Sequence, residues 1–190
     1  MTSYAMTYTT VAGSPLGTML MTANATALTG LYFQGQRYAP EPGQEWVARD
    51  DLPVFARTRE WLAAYFSGQP PCADVPLAPN GTNFQCAVWQ QIAGIPSGET
   101  ITYAELARRA GYPAAVRAAG AATGRNPISL LIPCHRVVGS DGSLTGYAGG
   151  LERKRRLLAL EAGACGHGAA PGMQGSLAFA PTGAFAPTGP

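Results

Sequence analysis

The chain has 190 residues, of which 46% are hydrophobic and 13% charged, with a net charge of +2. That length can bury a core and suits one or two small domains. No apolar run approaches the roughly 20 residues of a membrane helix, and Met1-Thr2-Ser3-Tyr4-Ala5 lacks the basic start and apolar stretch of a signal peptide. A soluble, cytoplasmic protein with no membrane partner is expected. The mild charge excludes whole-surface attraction to nucleic acid, so any such contact must come from a local patch.

Residues 4–33 read as strands. Thr7-Tyr8-Thr9-Thr10-Val11 is rich in β-branched and aromatic residues, Gly13-Ser14-Pro15-Leu16-Gly17 is a turn signal, and Met19 to Thr22 and Leu28 to Phe33 continue the pattern around Asn24-Ala25. A small antiparallel sheet is predicted. Residues 34–53, with Pro40, Pro42 and Pro53, read as loop. From Val54 to Phe66 the period becomes helical, with Phe55, Leu62, Tyr65 and Phe66 on one face and Gly68 at the end. Pro70, Pro71, Pro76 and Pro79 mark a linker, which puts a domain boundary near residue 80.

Thr82-Asn83-Phe84-Gln85 is a capping-box pattern that opens a helix carrying Phe84, Val88 and Ile92. Ile95-Pro96-Ser97-Gly98 is a turn. Thr102-Tyr103-Ala104-Glu105 is a second capping box, opening a short helix to Arg109. Gly111-Tyr112-Pro113 breaks it, and a further helix is predicted from about Ala114 to Thr123, with Pro113 suited to its first turn. Helix, short turn, helix is the helix-turn-helix layout. Ile128 to Ile132 is a short apolar run, Gly139 to Gly150 a glycine-rich loop, and Leu151 to Glu161 a helix. Order is expected to end near Gly163. The tail, 164–190, repeats Phe-Ala-Pro-Thr-Gly, which predicts disorder and dispensability.

Four cysteines, Cys72, Cys86, Cys134 and Cys165, show no CxxC spacing, and the two histidines, His135 and His167, form no ligand cluster with them. Neither a disulfide scaffold nor a zinc site is expected. Lys154 is the only lysine, and the abundance of alanine, glycine and proline suggests GC-rich, bacterial coding. Cys134 stands directly before His135 and after Pro133. A free thiol has a pKa of about 8.5 and needs a base or a positive field to act as a nucleophile. His135 is a candidate base. Glu161, three and four residues after Leu158 and Leu157, falls on the face that should be buried and would want a partner. On spacing alone, Cys134 reads as a small buried hydrophobe rather than a nucleophile, because neighbours on a strand point to opposite faces, and Glu161 as a solvated residue near a helix end.

Ile132-Pro133-Cys134-His135-Arg136-Val137 resembles the active-site signature of the O6-alkylguanine-DNA alkyltransferases. Asn126-Pro127, Tyr147 with Gly149-Gly150, Leu157-Leu158-Ala159-Leu160-Glu161 and Thr102-Tyr103-Ala104-Glu105-Leu106 match the family in order and spacing. The match is dense over residues 80–162 and loose before that, through Ser14-Pro15-Leu16-Gly17.

The resemblance implies an α+β two-domain fold. Residues 1–79 would be a ribonuclease H-like α/β domain, and 80–163 a helical, winged-helix-like domain with the helix-turn-helix. It implies DNA repair by stoichiometric, irreversible transfer of an alkyl group from O6-alkylguanine, and O4-alkylthymine, to Cys134. Each molecule would act once and need no cofactor. His135 would serve as base through a water, Glu161 would orient it, Asn126 would hold the active-site turn, and Tyr103 would help to protonate the leaving guanine. Tyr147, Ala148 and Val137 would line the pocket. Ala148 stands where the family often has serine, so a backbone contact there survives but a hydroxyl role does not. The Ala-rich helix with Arg117, Ala118, Gly120 and Ala121, together with Thr102, would bind the minor groove of double-stranded DNA. Arg117 would fill the place of the flipped base, and the protein would act as a monomer. Three rivals remain: a turning-over cysteine hydrolase, a lesion-binding relative without an acceptor cysteine, and a zinc-dependent regulator. The presence of Cys134 disfavours the second, and the lack of an N-terminal cysteine cluster disfavours the third.

Overall fold

The computed structural model describes residues 6–43, 45–70 and 73–165. The predicted tail, 164–190, lies outside them except for residues 164–165, which continue the last helix rather than starting a disordered segment. An N-terminal domain with a small mixed sheet packs against a helical C-terminal domain.

Three strands, β1 (Thr7–Ala12), β2 (Met19–Ala23) and β3 (Leu28–Phe33), form an antiparallel meander. β2 and β3 bury most of their residues, Met19, Met21, Leu28, Leu31 and Phe33 completely. The prediction of loop over residues 34–53 needs correction. β4 (Trp46–Ala48) pairs in parallel with β1, giving the order β3-β2-β1-β4 and a mixed rather than purely antiparallel sheet. Three residues among prolines and glycines are too few to show a period of two. Helix α1 (Pro53–Phe66) starts with proline at a position whose N–H has no helical partner, and it buries Val54, Phe55, Leu62 and Tyr65.

The C-terminal domain opens with α2 (Asn83–Ala93). Its capping box is complete: the Thr82 side chain accepts from the Gln85 N–H, and the Gln85 side chain accepts from the Thr82 N–H. A cap of this kind contributes about 1 kcal/mol. Trp89 of α2 is buried and donates its indole N–H to the Ala122 carbonyl at 2.9 Å, locking α2 to the helix that follows the turn. β5 (Ile101–Thr102) leads into α3 (Tyr103–Arg109). Thr102 caps α3 through the Glu105 N–H, but the second capping box is only half formed, because the Glu105 carboxylate turns to Arg108 and Arg109 instead. Two cations within one helical turn outcompete a single backbone N–H.

α4 spans Val116–Gly124, not Ala114–Thr123. The Ala115 N–H bonds to the Tyr112 carbonyl, so 112–115 form a turn and Pro113 lies before the helix. β6 (Val137–Val138) pairs in parallel with β5, and α5 runs Leu151–Cys165, past the expected end at Glu161.

The apolar run at 128–132 is not a strand. The Leu31 N–H bonds to Pro127 O and the Ser129 N–H to Leu31 O, so the run docks on β3 as a single bridge. It then turns back with Leu130 at φ 72°. That left-handed residue is strained, and the strain falls in the turn that delivers Cys134.

Candidate functional site

Cys134, His135 and Arg136 form one turn of 3-10 helix, and all three are buried. At about three residues per turn, adjacent side chains point roughly a third of a turn apart. The objection that neighbours on a strand face opposite ways therefore does not apply.

Asn126 fixes this turn from beneath. Its side-chain N–H₂ donates to Ile132 O at 2.7 Å and lies 3.2 Å from Cys134 Sγ, while its carbonyl oxygen accepts from the Ile128 N–H at 3.0 Å. Cys134 is 4% exposed. Burial pushes its thiol pKa up, and the Asn126 donor and the Lys154 charge pull the other way without overcoming it. The resting side chain is a neutral thiol that needs a base.

His135 is fully buried, with Nε2 2.8 Å from Glu161 Oε1. Burial lowers its pKa, opposed by Glu161, while Arg136 and Lys154 lower it further. It is a neutral imidazole. Glu161 is an acceptor, so the network assigns the imidazole proton to Nε2. Nδ1 is then a lone-pair nitrogen, and it is one of two buried side-chain polar atoms without a partner among the described residues. An orphaned buried acceptor needs a reason, and a base beside a thiol is one.

Glu161 collects five donors. Oε1 accepts from His135, from the Tyr65 hydroxyl at 2.7 Å and from Arg136 Nη2 at 2.8 Å; Oε2 accepts from Arg136 Nε at 2.9 Å and from the Gly98 N–H at 3.3 Å. Burial alone would raise its pKa, but the bonds and charges of His135 and Arg136 outweigh that and hold the carboxyl well below the usual range. Arg136 also donates to the Ile95 carbonyl.

Sequence reasoning missed three members of this site. Tyr65 comes from α1, 96 residues away from Glu161, and no local pattern connects them. Arg136 was quoted within the signature without a role. Lys154 was noted only as the sole lysine. It is fully buried, with Nζ donating to Val137 O at 2.6 Å and Thr145 O at 2.8 Å, and burial brings its pKa down to about 8. One signal was available. Lys154, Leu157 and Glu161 stand at i, i+3 and i+7 on α5, so a buried Glu161 implies a buried Lys154.

The Tyr65 bond yields a stability test. Tyr65→Phe keeps the stack on Trp61, with ring centroids 5.1 Å apart, but loses a buried hydrogen bond to a carboxylate. Urea unfolding should show a loss of about 1.5–3 kcal/mol, the range for bonds to charged groups. An unchanged midpoint would mean that the hydroxyl contributes nothing net.

A strap at 145–149 closes the other side. The Tyr103 hydroxyl donates to Thr145 O at 3.1 Å and Gly146 O at 3.2 Å. Burial raises its pKa, which keeps the phenol protonated. Tyr147 packs edge-on against His135, its hydroxyl buried beside Ser129 without a well-formed bond, and burial raises its pKa strongly. Ala148 offers its carbonyl to the Arg37 N–H at 3.0 Å. A side chain at Gly149 would come within 2.7 Å of Tyr147 and 3.1 Å of Phe33, so only glycine lets the strap pack there. The Val137 side chain is fully buried.

The proposed DNA-facing residues stand apart from this cluster. Arg117, Ala118 and Ala121 are exposed on α4, while Ala119, Ala122 and Thr123 are buried behind them. Gly120 lies against Tyr103, which joins α4 to the strap. Thr102 is half-buried, with its hydroxyl committed to capping α3. Among the described residues, no group of three or more His, Cys, Asp or Glu is placed to hold a metal, and no helix is long and apolar enough to cross a membrane.

Two family models match the chain. That for the 6-O-methylguanine DNA methyltransferase ribonuclease-like domain covers residues 6–79, and that for the 6-O-methylguanine DNA methyltransferase DNA binding domain covers 83–163. The methylated-DNA--protein-cysteine methyltransferase of Haemophilus influenzae is 48% identical over 155 residues, 81% of this chain and 86% of that protein. The protein of the same name from Mycobacterium tuberculosis is 44% identical over 148 residues, 78% of this chain and 88% of that one. The crystal structure of Mycobacterium tuberculosis OGT in complex with DNA superposes with a TM-score of 0.74 at 40% identity, covering 84% of this chain and 94% of that one.

Proposed function

The chain belongs to the 6-O-methylguanine DNA methyltransferase family, and from that premise we propose that it repairs DNA by taking an alkyl group from O6-alkylguanine onto Cys134. The observation that carries this reading is the buried Cys134 thiol, held by Asn126 in one turn with a neutral His135 whose Nδ1 has no partner. The test is intact-mass measurement after mixing with an O6-methylguanine duplex. One added methyl per chain is expected.

The chemistry is one displacement. His135 Nδ1 takes the thiol proton through a water, and Glu161 stabilises the imidazolium that forms. Sulfur attacks the alkyl carbon, an S–C bond forms, and the O6–C bond breaks with its electron pair leaving on guanine. Tyr103 supplies a proton to that guanine, for which its hydroxyl must exchange the strap carbonyls for the base, and the phenolate is reprotonated through water by the proton that His135 took from the thiol. Asn126 keeps sulfur in place, Lys154 pins the strap and adds a positive field, and Tyr147 and the Ala148 backbone enclose the base. The product is a thioether, which no group in the site can cleave, so each chain acts once. O4-alkylthymine presents the same alkyl–oxygen bond and is a second substrate.

DNA enters along α4. Ala118, Gly120 and Ala121 let that helix approach the minor groove closely, and Arg117 fills the gap left by the extruded base. Extrusion costs a few kcal/mol. In this reading the chain acts as a monomer in the cytoplasm, residues 1–79 buttress the site, 80–163 carry out binding and transfer, and 164–190 take no part.

Arg117→Ala should therefore slow transfer from duplex DNA by at least about tenfold, the equivalent of 1.4 kcal/mol of lost extrusion support. Reaction with free O6-benzylguanine should stay near wild type. Equal losses on both substrates would remove Arg117 from extrusion.

A further inference from the structure

We propose that Arg37, Tyr38 and Arg125 form a phosphate-binding patch that carries the DNA interface from α4 onto the N-terminal domain. The proposal rests on the reading of the chain as a DNA-repair protein and extends it to residues that reading does not use.

Three observations support it. First, two guanidinium groups converge on one ring: Arg37 lies 4.8 Å and Arg125 5.2 Å from the centroid of Tyr38. Arg37 is its sequence neighbour, but Arg125 comes from the end of α4, in the other domain. Neither arginine forms an ion pair among the described residues, whereas Arg49, Arg59, Arg108, Arg109, Arg136 and Arg155 all do. Two like charges at one exposed ring repel, and cation–π attraction at an exposed site is a weak counterweight. An anion between or beside them relieves the repulsion.

Second, Tyr38 has φ 65° and is 50% exposed. A non-glycine residue in the left-handed region is strained, and a half-exposed ring recovers little of that by burial. In this conformation the ring lies within 5.2 Å of both guanidinium carbons.

Third, the patch is rigidly tied to the transfer site and to the DNA-facing side of α4. The Arg37 N–H bonds to Ala148 O of the strap. The buried Gln36 side chain accepts from the Phe33 N–H at 3.1 Å and from the Ser129 hydroxyl at 3.0 Å, pinning this loop to the segment that leads into Cys134. Arg125 caps α4, with its N–H on the carbonyls of Ala121, Ala122 and Thr123. Ala118, Ala121 and Arg125 stand at i, i+3 and i+7, along one exposed stripe. Arg125 is eight residues beyond Arg117, about 12 Å along the axis. A strand whose extruded nucleotide sits at Arg117 and Cys134 therefore passes the patch with a neighbouring phosphodiester.

The partner is thus the sugar-phosphate backbone, and the signature is electrostatic. The test measures affinity for an undamaged duplex by anisotropy across a salt series of about 50 to 200 mM, for wild type, Arg37→Ala/Arg125→Ala and Arg37→Gln/Arg125→Gln. Each lost phosphate contact should remove about 0.9 from the slope of log affinity against log salt, so both double variants should lose about 1–2 units. Their transfer rate from duplex DNA should fall with affinity, while reaction with free O6-benzylguanine stays at the wild-type value. The glutamine pair keeps length and hydrogen bonding, so a loss shared by both pairs belongs to the charge. An unchanged slope would overturn the proposal. So would an equal loss on the free base, which would make the patch a support of the pocket. Because binding to an undamaged duplex involves no alkyl transfer, failure of methyl transfer to Cys134 in the wild type would refute the repair reading separately.

Discussion

Cys134→Ala should abolish alkyl transfer while leaving duplex binding and the fold intact. The substitution deletes the only sulfur that meets both requirements for the reaction among the described residues. It is fixed by a donor, Asn126 at 3.2 Å, and it adjoins a neutral imidazole with an unpartnered nitrogen. Cys86, the other cysteine whose side chain is described, is half-buried on α2, with its thiol directed at the Gly81 carbonyl 3.6 Å away and its pKa raised by burial. A thiol donating to a carbonyl has no base to deprotonate it. Cys86→Ala should therefore transfer normally, as should replacement of Cys72 or Cys165. Alanine at 134 removes little buried volume, and the 3-10 turn keeps its backbone bonds, including Cys134 N–H to Ile132 O at 2.8 Å. The surface of α4 is untouched. With excess O6-methylguanine duplex, the wild type should stop at one methyl, found on the peptide containing Cys134. Continued turnover would reveal a hydrolase using Cys134, His135 and Glu161. Full transfer by Cys134→Ala would move the acceptor elsewhere.

The sequence made the local elements legible and left the long-range ones hidden. The meander, α1 and the Thr82 capping box depend on neighbours within a few residues, and hydrophobic period or cap spacing reports them directly. β4 is too short to show a period. The start of α4 moved by two residues because a proline in a turn and a proline at a helix start look alike. Within the site, residue chemistry raised Cys134, His135 and Glu161 as candidates, and the family resemblance added Asn126 and decided for all four, which the structure brings together. Residue spacing alone did not, because it was judged against strand geometry, while the chain forms a 3-10 turn after a strained Leu130. Tyr65 was unreadable for a different reason. Its partner is 96 residues away on another domain, and only the packed fold decides that this hydroxyl, among eight tyrosines, reaches Glu161. The same holds for Arg125, whose approach to Tyr38 spans both domains.

Glu161→Leu should be the most destabilising single change at the site, at about 3–5 kcal/mol, and it should also slow transfer by on the order of 10²–10⁴-fold. Both effects come from the five donors that converge on one carboxylate. Leucine fills most of the volume, so the loss is one of charge and acceptors rather than of packing. Arg136 is left buried with no counter-charge, which is the costly way to break an ion pair. His135 loses the acceptor that fixes its proton on Nε2, so Nδ1 is no longer reserved as the base. Glu161→Gln keeps one acceptor oxygen and should fall between leucine and wild type in both measurements. The carboxyl also sets an acid limit on stability. Its pKa is depressed in the folded state, so its contribution is complete above the ordinary carboxylate value of about 4.3 and is lost as pH falls below that. The pKa of His135 is lowered too, so the unfolded chain binds its proton first, and stability begins to fall below about pH 6.5. Urea unfolding of wild type and Glu161→Gln near pH 7.5 and near pH 3.5 reads the carboxylate together with its hold on His135. The gap between them should be widest at the higher pH and narrow at the lower. A gap of the same size at both would mean that the carboxylate is not the charge that holds Arg136 and His135 in place, and the base assignment to Nδ1 would fall with it.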